Sequence, residues 1–431
     1  MKTLGSVIAM AALAAGCAVQ ESNNVDPDTG TAASDSLDRA KPPPEKCSAI
    51  GTPGEIVDVV PIEGGGIVAV DREGNRFYSL TSGGLLKLTA TDDRVYSFAF
   101  GSVFALDRAG KAFVAGSFTA PITIGGRQFV PSGDIDALVV ELSPSGDVVK
   151  AFQLGLSDDG VQSVAVDRRG RIAVSDTTAT AVLNPSGRIQ YLLPYSGQVA
   201  FDSHGNLYVG GSFSGSIDFG GGHVLHAASS TDIDAFLVKL DMRGEFLASV
   251  QLGDAPLPIT GQDNVVISSP QPQIITDLAI NAHDQVAILG TFTSEMDLFG
   301  QILVFTPTLP SGSTLGPFVA EFDSSLSVTF STPLARFYSR NPVGSIAIDS
   351  DGNVIISHNT PSEAFAPFGL PVLTKLDLDN HGGWQIGPEF SFARGFGLGV
   401  AVDPCGNIVW ADSEREQPLA PPQLLLRTVA R

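Results

Sequence analysis

The chain has 431 residues, and its 46 acidic and 25 basic residues give a formal net charge of −21. This charge would repel a phosphate backbone, so we expect no nucleic-acid partner. The 47 glycines and 28 prolines, together with 43% hydrophobic residues, are typical of a folded chain of short strands and tight turns.

The N-terminus predicts export. Residues 1–16 have the layout of a secretory signal peptide, with Lys2 before an apolar run too short to span a bilayer. The small residues before Cys17 resemble the lipobox of bacterial lipoproteins, although Ala14 stands where that pattern usually has Leu. The resemblance implies lipidation of Cys17. Because Ala18 rather than Asp follows the cysteine, it also implies an outer-membrane lipoprotein that faces the periplasm or the cell surface. Ordinary secretion and an uncleaved anchor remain alternatives.

A tether is predicted between this lipid anchor and the folded part. Residues 17–45 are polar and acidic after Cys17, and they close with three consecutive prolines. Such a segment has too little apolar surface to pack, and the proline run stiffens its end. We therefore predict one folded domain over residues 46–431.

A unit repeats seven times in this domain. An apolar strand ends in Asp, two variable residues and Gly follow, and a second apolar strand begins. We interpret each copy as a β-hairpin, because Asp caps a turn with its side chain and Gly accepts a positive φ. In the fifth copy Asn281 replaces Asp and Asp284 stands at the Gly position, which both residue types tolerate. The predicted turn residues are Asp71, Gly74, Asp107, Gly110, Asp167, Gly170, Asp202, Gly205, Asn281, Asp349, Gly352, Asp403 and Gly406.

A second hairpin follows in most copies, as in residues 137–155 and 235–253. Four antiparallel strands per repeat are typical of a blade, so we predict an all-β fold, a single β-propeller of seven four-stranded blades. Insertions begin at Gly116, Gly211 and Gly290. We interpret them as hairpin-like structural extensions, with a ligand-binding rim as the alternative.

The last copy lacks a fourth strand, so an N-terminal strand should complete it and close the ring. Residues 46–51 resemble the fourth strands of other copies, and we assign them this role. Cys47 and Cys405 then fall in the same blade, and a disulfide between them would lock the seam in an oxidising compartment. Against it, the third strand would separate the two positions by more than the usual Cα distance of about 5.5 Å.

The repeats resemble the NHL and SBBP-type propeller repeats of secreted bacterial proteins. The similarity covers nearly the whole chain after residue 46 and is strongest over residues 100–255. It implies the propeller fold, and it leaves the function open because such propellers serve both as binding platforms and as enzymes.

No convergent catalytic or metal-ligating set stands out. The Asp349–Asn353 turn lacks the further oxygen ligands of a calcium loop, and His223 and His226 have no third ligand nearby in sequence. We expect no metal and no cofactor. The favoured function is a monomeric, membrane-anchored binding or scaffold module for a protein or glycan ligand. The alternative is a secreted propeller enzyme, a lyase, lactonase or glycan hydrolase, with its site at the channel mouth.

Overall fold

The computed structural model describes residues 52–155, 160–253, 272–292, 295–304, 316–334, 344–360, 370–377, 382–386, 397–414 and 423–431. The predicted signal peptide, Cys17, the tether and Cys47 lie outside the described residues. Within these ranges no helix is long and apolar enough to cross a membrane.

The described strands form seven four-stranded antiparallel sheets and three two-stranded hairpins. The first strand of the chain is β1 (Ile56–Ile62). The first three blades follow it. Blade 1 has β2 (Gly64–Val70), β3 (Arg76–Leu80), β4 (Leu85–Leu88) and β5 (Arg94–Phe98); blade 2 has β6 (Val103–Leu106), β7 (Ala112–Phe118), the hairpin β8 (Ile122–Ile124) and β9 (Arg127–Phe129), then β10 (Asp136–Leu142) and β11 (Val148–Leu154); blade 3 has β12 (Ser163–Val166), β13 (Ile172–Ser175), β14 (Thr180–Leu183) and β15 (Ile189–Leu193).

Four further blades complete the series. Blade 4 has β16 (Gln198–Phe201), β17 (Leu207–Ser214), the hairpin β18 (Ser216–Asp218) and β19 (Val224–His226), then β20 (Ile233–Leu240) and β21 (Phe246–Leu252); blade 5 has β22 (Ile274–Ile280), β23 (Val286–Phe292), the hairpin β24 (Glu295–Leu298) and β25 (Gln301–Val304), then β26 (Gly316–Phe322) and β27 (Val328–Pro333); blade 6 has β28 (Ser345–Ile348), β29 (Val354–Thr360), β30 (Leu370–Asp377) and β31 (Gly382–Ile386); blade 7 has β32 (Gly397–Val402), β33 (Ile408–Glu414) and β34 (Gln423–Val429), completed by β1.

The ring is closed by a strand from the other end of the chain. β1 pairs antiparallel with β34, from Ile56 opposite Val429 to Ile62 opposite Leu424. The predicted mode of closure is therefore confirmed, but its assignment to residues 46–51 is wrong. The strand that fills this place is β1, five residues further on. Pro61 tolerates this position because an edge strand leaves one side of its backbone unpaired.

Seven hydrophobic cores lie between consecutive blades, and they show that the ring is complete. The first strands of the blades contact one another in cyclic order, with β32 against β2. One core, for example, packs Tyr78 and Leu86 of blade 1 against Val409 and Leu426 of blade 7. Strands buried on both faces are largely apolar, and the third strands β10 and β26 are buried at every position. Their few charged residues are bonded, as Glu141 of β10 is to Lys111. The seven-bladed propeller predicted from the repeats is confirmed.

The three insertions are hairpins that fill the gaps between blades. In blade 4, Phe219 of the β18–β19 hairpin is buried, with its ring 5.2 Å from that of Tyr195 and 5.4 Å from that of Phe236. Phe129 of the β8–β9 hairpin joins the core between blades 1 and 2, and Met296 of the β24–β25 hairpin joins the core between blades 4 and 5. The structural interpretation of the insertions therefore fits better than a ligand-binding rim.

Alternate connections emerge at opposite ends of the ring, because consecutive strands of a blade are antiparallel. We call the end that carries the turns between first and second strands, and between third and fourth strands, the turn face. We call the other end the crossover face; it carries the connections between second and third strands and those between blades. The inserted hairpins start from the crossover face, and the repeated Asp residues lie on the turn face.

Candidate functional site

The seven first-hairpin turns share one set of hydrogen bonds. In blade 4, Oδ1 of Asp202 accepts the backbone N–H groups of His204 at 2.9 Å and Asn206 at 2.8 Å, and Gly205 has a φ of 86°. The other turns repeat the two backbone bonds to Asp71, Asp107, Asp167, Asn281, Asp349 and Asp403. The side chains that recur around the ring thus satisfy their own turns.

The buried turn carboxylates are also paired with cations, as buried charges must be. Lys239 of β20 lies 3.4 Å from Asp202, and Lys375 of β30 lies 2.9 Å from Asp349. In blade 3 the cation comes from the turn itself, because Arg171, just before β13, pairs with Asp167 at 2.8 Å. The three pairs neutralise the buried turn carboxylates of blades 3, 4 and 6.

Four cations also join neighbouring blades. Lys87, Arg171 and Lys239 pair with turn carboxylates, whereas Lys150 pairs with Glu141. Each donates a hydrogen bond to a carbonyl in the next blade's turn between third and fourth strands, always at the second residue of that turn. The four bonds run from Lys87 to Pro144 at 3.1 Å, from Lys150 to Pro185 at 3.1 Å, from Arg171 to Met242 at 3.0 Å, and from Lys239 to Ser324 at 2.7 Å. This pattern gives the recurring charged residues an architectural use that needs no ligand.

The electrostatics of Asp349 agree with this use. Burial raises the pKa of its carboxyl, but hydrogen bonds from Asn353 and Lys375, together with the Lys375 charge, outweigh burial and hold that pKa below its usual value. A general base working near neutral pH would need the opposite shift. Asp349 is therefore held as a structural carboxylate.

Asp277 has a raised pKa, caused by burial, and is the kind of residue that often marks an active site. It lies on the inner strand β22, where its carboxylate accepts the backbone N–H groups of Ile346 and Leu278, each at 2.8 Å. The bond from Ile346 joins blade 6 to blade 5. The side chain thus has a structural use, and no described histidine contacts it.

A Ser, His and Asp meet on the turn face, and their geometry argues against a catalytic triad. Asp284 occupies the position that is Gly in the other six turns. Its carboxylate accepts a hydrogen bond from the Ser203 hydroxyl at 2.7 Å and lies 3.1 Å from Nδ1 of His204. The Ser203 hydroxyl also lies 3.2 Å from that same nitrogen. A triad needs the serine and the carboxylate on opposite ring nitrogens. The cluster instead links blade 4 to blade 5, and this explains the exception at Asp284.

The turn face opens into a cavity of about 220 Å³ at the mouth of the central channel. Its wall comes from the ends of the inner strands of blades 2 to 5 and from the turns that follow them. Leu106, Val166, Phe201 and Ile280 end these four strands and supply apolar surface. Only the axis of a propeller brings four blades together, so the cavity lies where ligands of ring proteins can reach residues of several repeats.

In three blades the residue that follows the turn Asp is an arginine. Arg108 and Arg168 line the cavity, and Arg72 holds the same position in blade 1. All three are exposed. In the remaining blades this position is Ser203, Ala282, Ser350 and Pro404. Of these residues, Arg108, Arg168, Ser203 and Ala282 line the cavity, so blades 2 and 3 contribute arginine to its wall and blades 4 and 5 contribute small residues.

Sequence reasoning missed these arginines, although a signal was present. Aligning the seven turns places Arg72, Arg108 and Arg168 in one column, directly after the position held by Asp in six copies and Asn281 in the fifth. The sequence prediction concentrated instead on the Asp and Gly of each turn. The structure leaves His204 exposed, at 76% of its side-chain surface.

The two histidines of the β18–β19 hairpin make structural contacts. His223 is exposed and stacks on Phe246 with ring centroids 3.8 Å apart, and His226 offers its backbone carbonyl to Gln251. Among the described residues, no group of three or more His, Cys, Asp or Glu side chains could hold a metal ion.

Cys405 is disulfide-bonded, and its partner lies outside the described residues. Pairing with Cys47 stays a prediction. As expected, the third strand β34 lies between β1 and β33. Gly54 donates to the carbonyl of Ala430 and Arg431 donates to Oδ1 of Asn407, so residues 52–55 lie at the end of the blade that carries the Cys405 turn.

No protein-family model matches the chain, and no curated protein matches it. Among solved structures, the chain is similar to the β-propeller domain of Cps50 (Swd1) from Myceliophteria thermophila, with 10% identity, a TM-score of 0.46 and coverage of 88% of this chain and 100% of that one. It is also similar to a protein of unknown function from Bacteroides caccae, with 12% identity, a TM-score of 0.34 and coverage of 62% and 81%. The fold rests on the strand order and the seven cores.

Proposed function

We propose that this chain is a surface-anchored lipoprotein whose propeller binds a protein or glycan ligand, in the manner of the NHL and SBBP-type propellers its repeats resemble. The seven-bladed fold fits a binding or scaffold module. The observation that carries the proposal is the use of the recurring polar residues: their hydrogen bonds and ion pairs are taken up within and between blades. Ligand contacts then fall to positions that differ between blades.

The lipid anchor is supported by the residues before Cys17 and by the polar tether after it. A tether that ends in three prolines would hold the ring away from a membrane surface. We expect the full-length chain to incorporate labelled palmitate and to sediment with membranes. Cys17→Ser should abolish incorporation, whereas incorporation that persists in this variant would contradict the anchor.

The binding role is tested with the full-length chain purified in detergent and applied to glycan and peptide arrays. We expect saturable binding of one ligand class, without chemical change of that ligand. A ligand that is recovered cleaved would contradict the binding role and favour an enzyme. Absence of any bound class on both arrays would also contradict it.

A further inference from the structure

Inserted hairpins cover the outer strands of blades 2 and 4 on the face toward the preceding blade. In blade 4, the rings of Phe219 and His223 lie 6.2 Å and 3.8 Å from the ring of Phe246, the first residue of β21. In blade 2, the β8–β9 hairpin passes so close to β11 that a Cβ on Gly125 would lie 2.8 Å from Cγ1 of Val148. Each hairpin thus shields the apolar residue that begins the fourth strand of its own blade.

Blade 3 has no such hairpin, and the equivalent face is exposed. Its second and third strands are joined by the short segment 176–179. Ile189 begins β15 as Phe246 begins β21, each opposite the last residue of the third strand. Ile189 is 52% exposed, and Leu192 on the same strand is 56% exposed.

Ile189 and Leu192 lie on one face of β15, because a bulge shifts the register between them. Leu192 pairs with Ala181 and Ile189 pairs with Leu183, and both partners belong to the core between blades 2 and 3. Residues directly opposite each other in a sheet share a face. Phe152 of β11 joins the same core from blade 2. The two exposed residues therefore border an apolar groove, at the outer edge of the gap between blades 2 and 3.

The leucine at position 192 is exceptional among the matched blades. Residues at the equivalent place are small in four of them and valine in a fifth. They are Ser97, Ala151, Ser249 and Ser331 in blades 1, 2, 4 and 5, and Val59 in blade 7. One exposed leucine alone would need no explanation. Here it extends the apolar surface of Ile189 on a face that the chain covers in two other blades.

The charge beside the groove is also unusual. Arg188 directly precedes Ile189, is exposed, and forms no ion pair within the described part of the chain. The equivalent residues in blades 1, 2, 4 and 5 are Asp93, Asp147, Glu245 and Ser327. A cation at this place, in a chain of net charge −21, complements an acidic side chain in whatever covers the groove.

We propose that this groove between blades 2 and 3 binds an apolar β-hairpin of a partner protein, with an acidic residue beside an aromatic one. The partner's hairpin takes the place that the β8–β9 and β18–β19 hairpins take on their own blades. The inference deepens the proposed binding role and rests on it, since it names the partner class and the surface. It does not depend on the lipid anchor.

The chain's own hairpin supplies a probe. Residues 214–227 contain Asp218 beside Phe219 and are synthesised as a fluorescein-labelled peptide with joined ends. Joining the ends limits the ordering cost, because an isolated two-stranded hairpin is marginally stable in water. Fluorescence anisotropy with the full-length chain in detergent should show saturable binding. The Phe219→Ala peptide should bind about tenfold more weakly or worse, because it lacks the ring that the groove buries.

Matched protein variants locate the site. Leu192→Ser introduces the serine that blades 4 and 5 have there, and it should weaken peptide binding by about tenfold. Leu247→Ser is the control and should leave binding unchanged, because Leu247 is 49% exposed on β21 but outside the groove. Arg188→Glu introduces the blade 4 residue and should weaken binding by about two- to fivefold, the range for an exposed ion pair. Thermal unfolding checks that each variant folds.

Three results would overturn the assignment. They are no saturable binding of the peptide, equal effects of Leu192→Ser and Leu247→Ser, and self-association of the chain that Leu192→Ser abolishes, which would make a second copy the occupant. If an array ligand still binds while the peptide does not, the assignment alone fails. If neither binds, the proposed binding role fails with it.

Discussion

The three inserted hairpins and the seven first-hairpin turns both recur along the chain, but they stabilise the ring in different ways. The β18–β19 hairpin buries Phe219 among aromatic rings between two blades. The turn at Asp202 instead buries a carboxylate, its backbone donors and a lysine. Recurrence therefore reflects structure in both regions.

The largest effect is expected in a hairpin. Phe219→Ala should lower the free energy of unfolding by about 4 kcal/mol, because it leaves a cavity between blades 3 and 4. His223→Ala in the same hairpin removes one exposed ring stack and should lower it by less than about 1.5 kcal/mol. Urea unfolding measures both; equal losses would mean that the hairpin does not fill the gap.

A buried turn comes next. Asp202→Ala should lower the free energy of unfolding by about 3 kcal/mol, since it leaves Lys239 without its carboxylate partner. Asp241→Ala removes the same two backbone bonds from the more open turn between β20 and β21, and should lower it by about 1 kcal/mol. Urea unfolding of the two variants measures both losses. A loss for Asp241→Ala as large as that for Asp202→Ala would contradict the ion-pair argument.

Substituting one glycine in each region by alanine compares how tightly the two regions are packed. A Cβ at Gly205 would lie 2.8 Å from Nη2 of Arg171, at a φ of +86°. Gly222, at the β18–β19 tip, has a φ of +87° and no atom within 4 Å. We expect Gly205→Ala to lower stability by about 2 kcal/mol and Gly222→Ala by about 1 kcal/mol, the usual range for a left-handed residue. Equal shifts in thermal unfolding would show that the turn face can relax.

The smallest effect is a dependence on pH. The pKa of Asp349 is lowered in the folded state, so its contribution to stability is present above its unfolded value of about 3.9 and is lost as the pH falls through the folded pKa. The difference in unfolding free energy between the wild type and Asp349→Asn should therefore narrow below about pH 4. Urea titrations at pH 7 and pH 3 measure it, and a constant difference would contradict the ion-paired state.

Much of the fold could be predicted from the sequence because the turns repeat. Asp and Gly in each first hairpin signal local backbone geometry, and seven copies predict seven blades. The closing strand was misplaced because residues 46–51 resemble other fourth strands, whereas β1 contains Asp58 and Pro61, which look unlike a strand. Pairing with β34 over a separation of most of the chain overrides that local signal.

The candidate site was harder to predict, because it depends on which residues reach the axis together. In the sequence, Arg108 and Arg168 are two charged residues 60 positions apart, and the repeated pattern draws attention to Asp and Gly instead. Their neighbourhood exists only after the ring closes. Asp284 likewise contacts Ser203 and His204, which lie 81 and 80 residues before it in the sequence and in another blade. No local sequence pattern predicts such contacts.

The most direct test of the structural role of the recurring turn residues is a double-mutant cycle of Asp202→Ala and Lys239→Met, measured by urea unfolding. Each single variant leaves one buried charge without its partner and should lower the free energy of unfolding by about 3 kcal/mol. We predict that the double variant loses clearly less than the sum of the two single losses. Losses that simply add would contradict the ion-paired role of the turn.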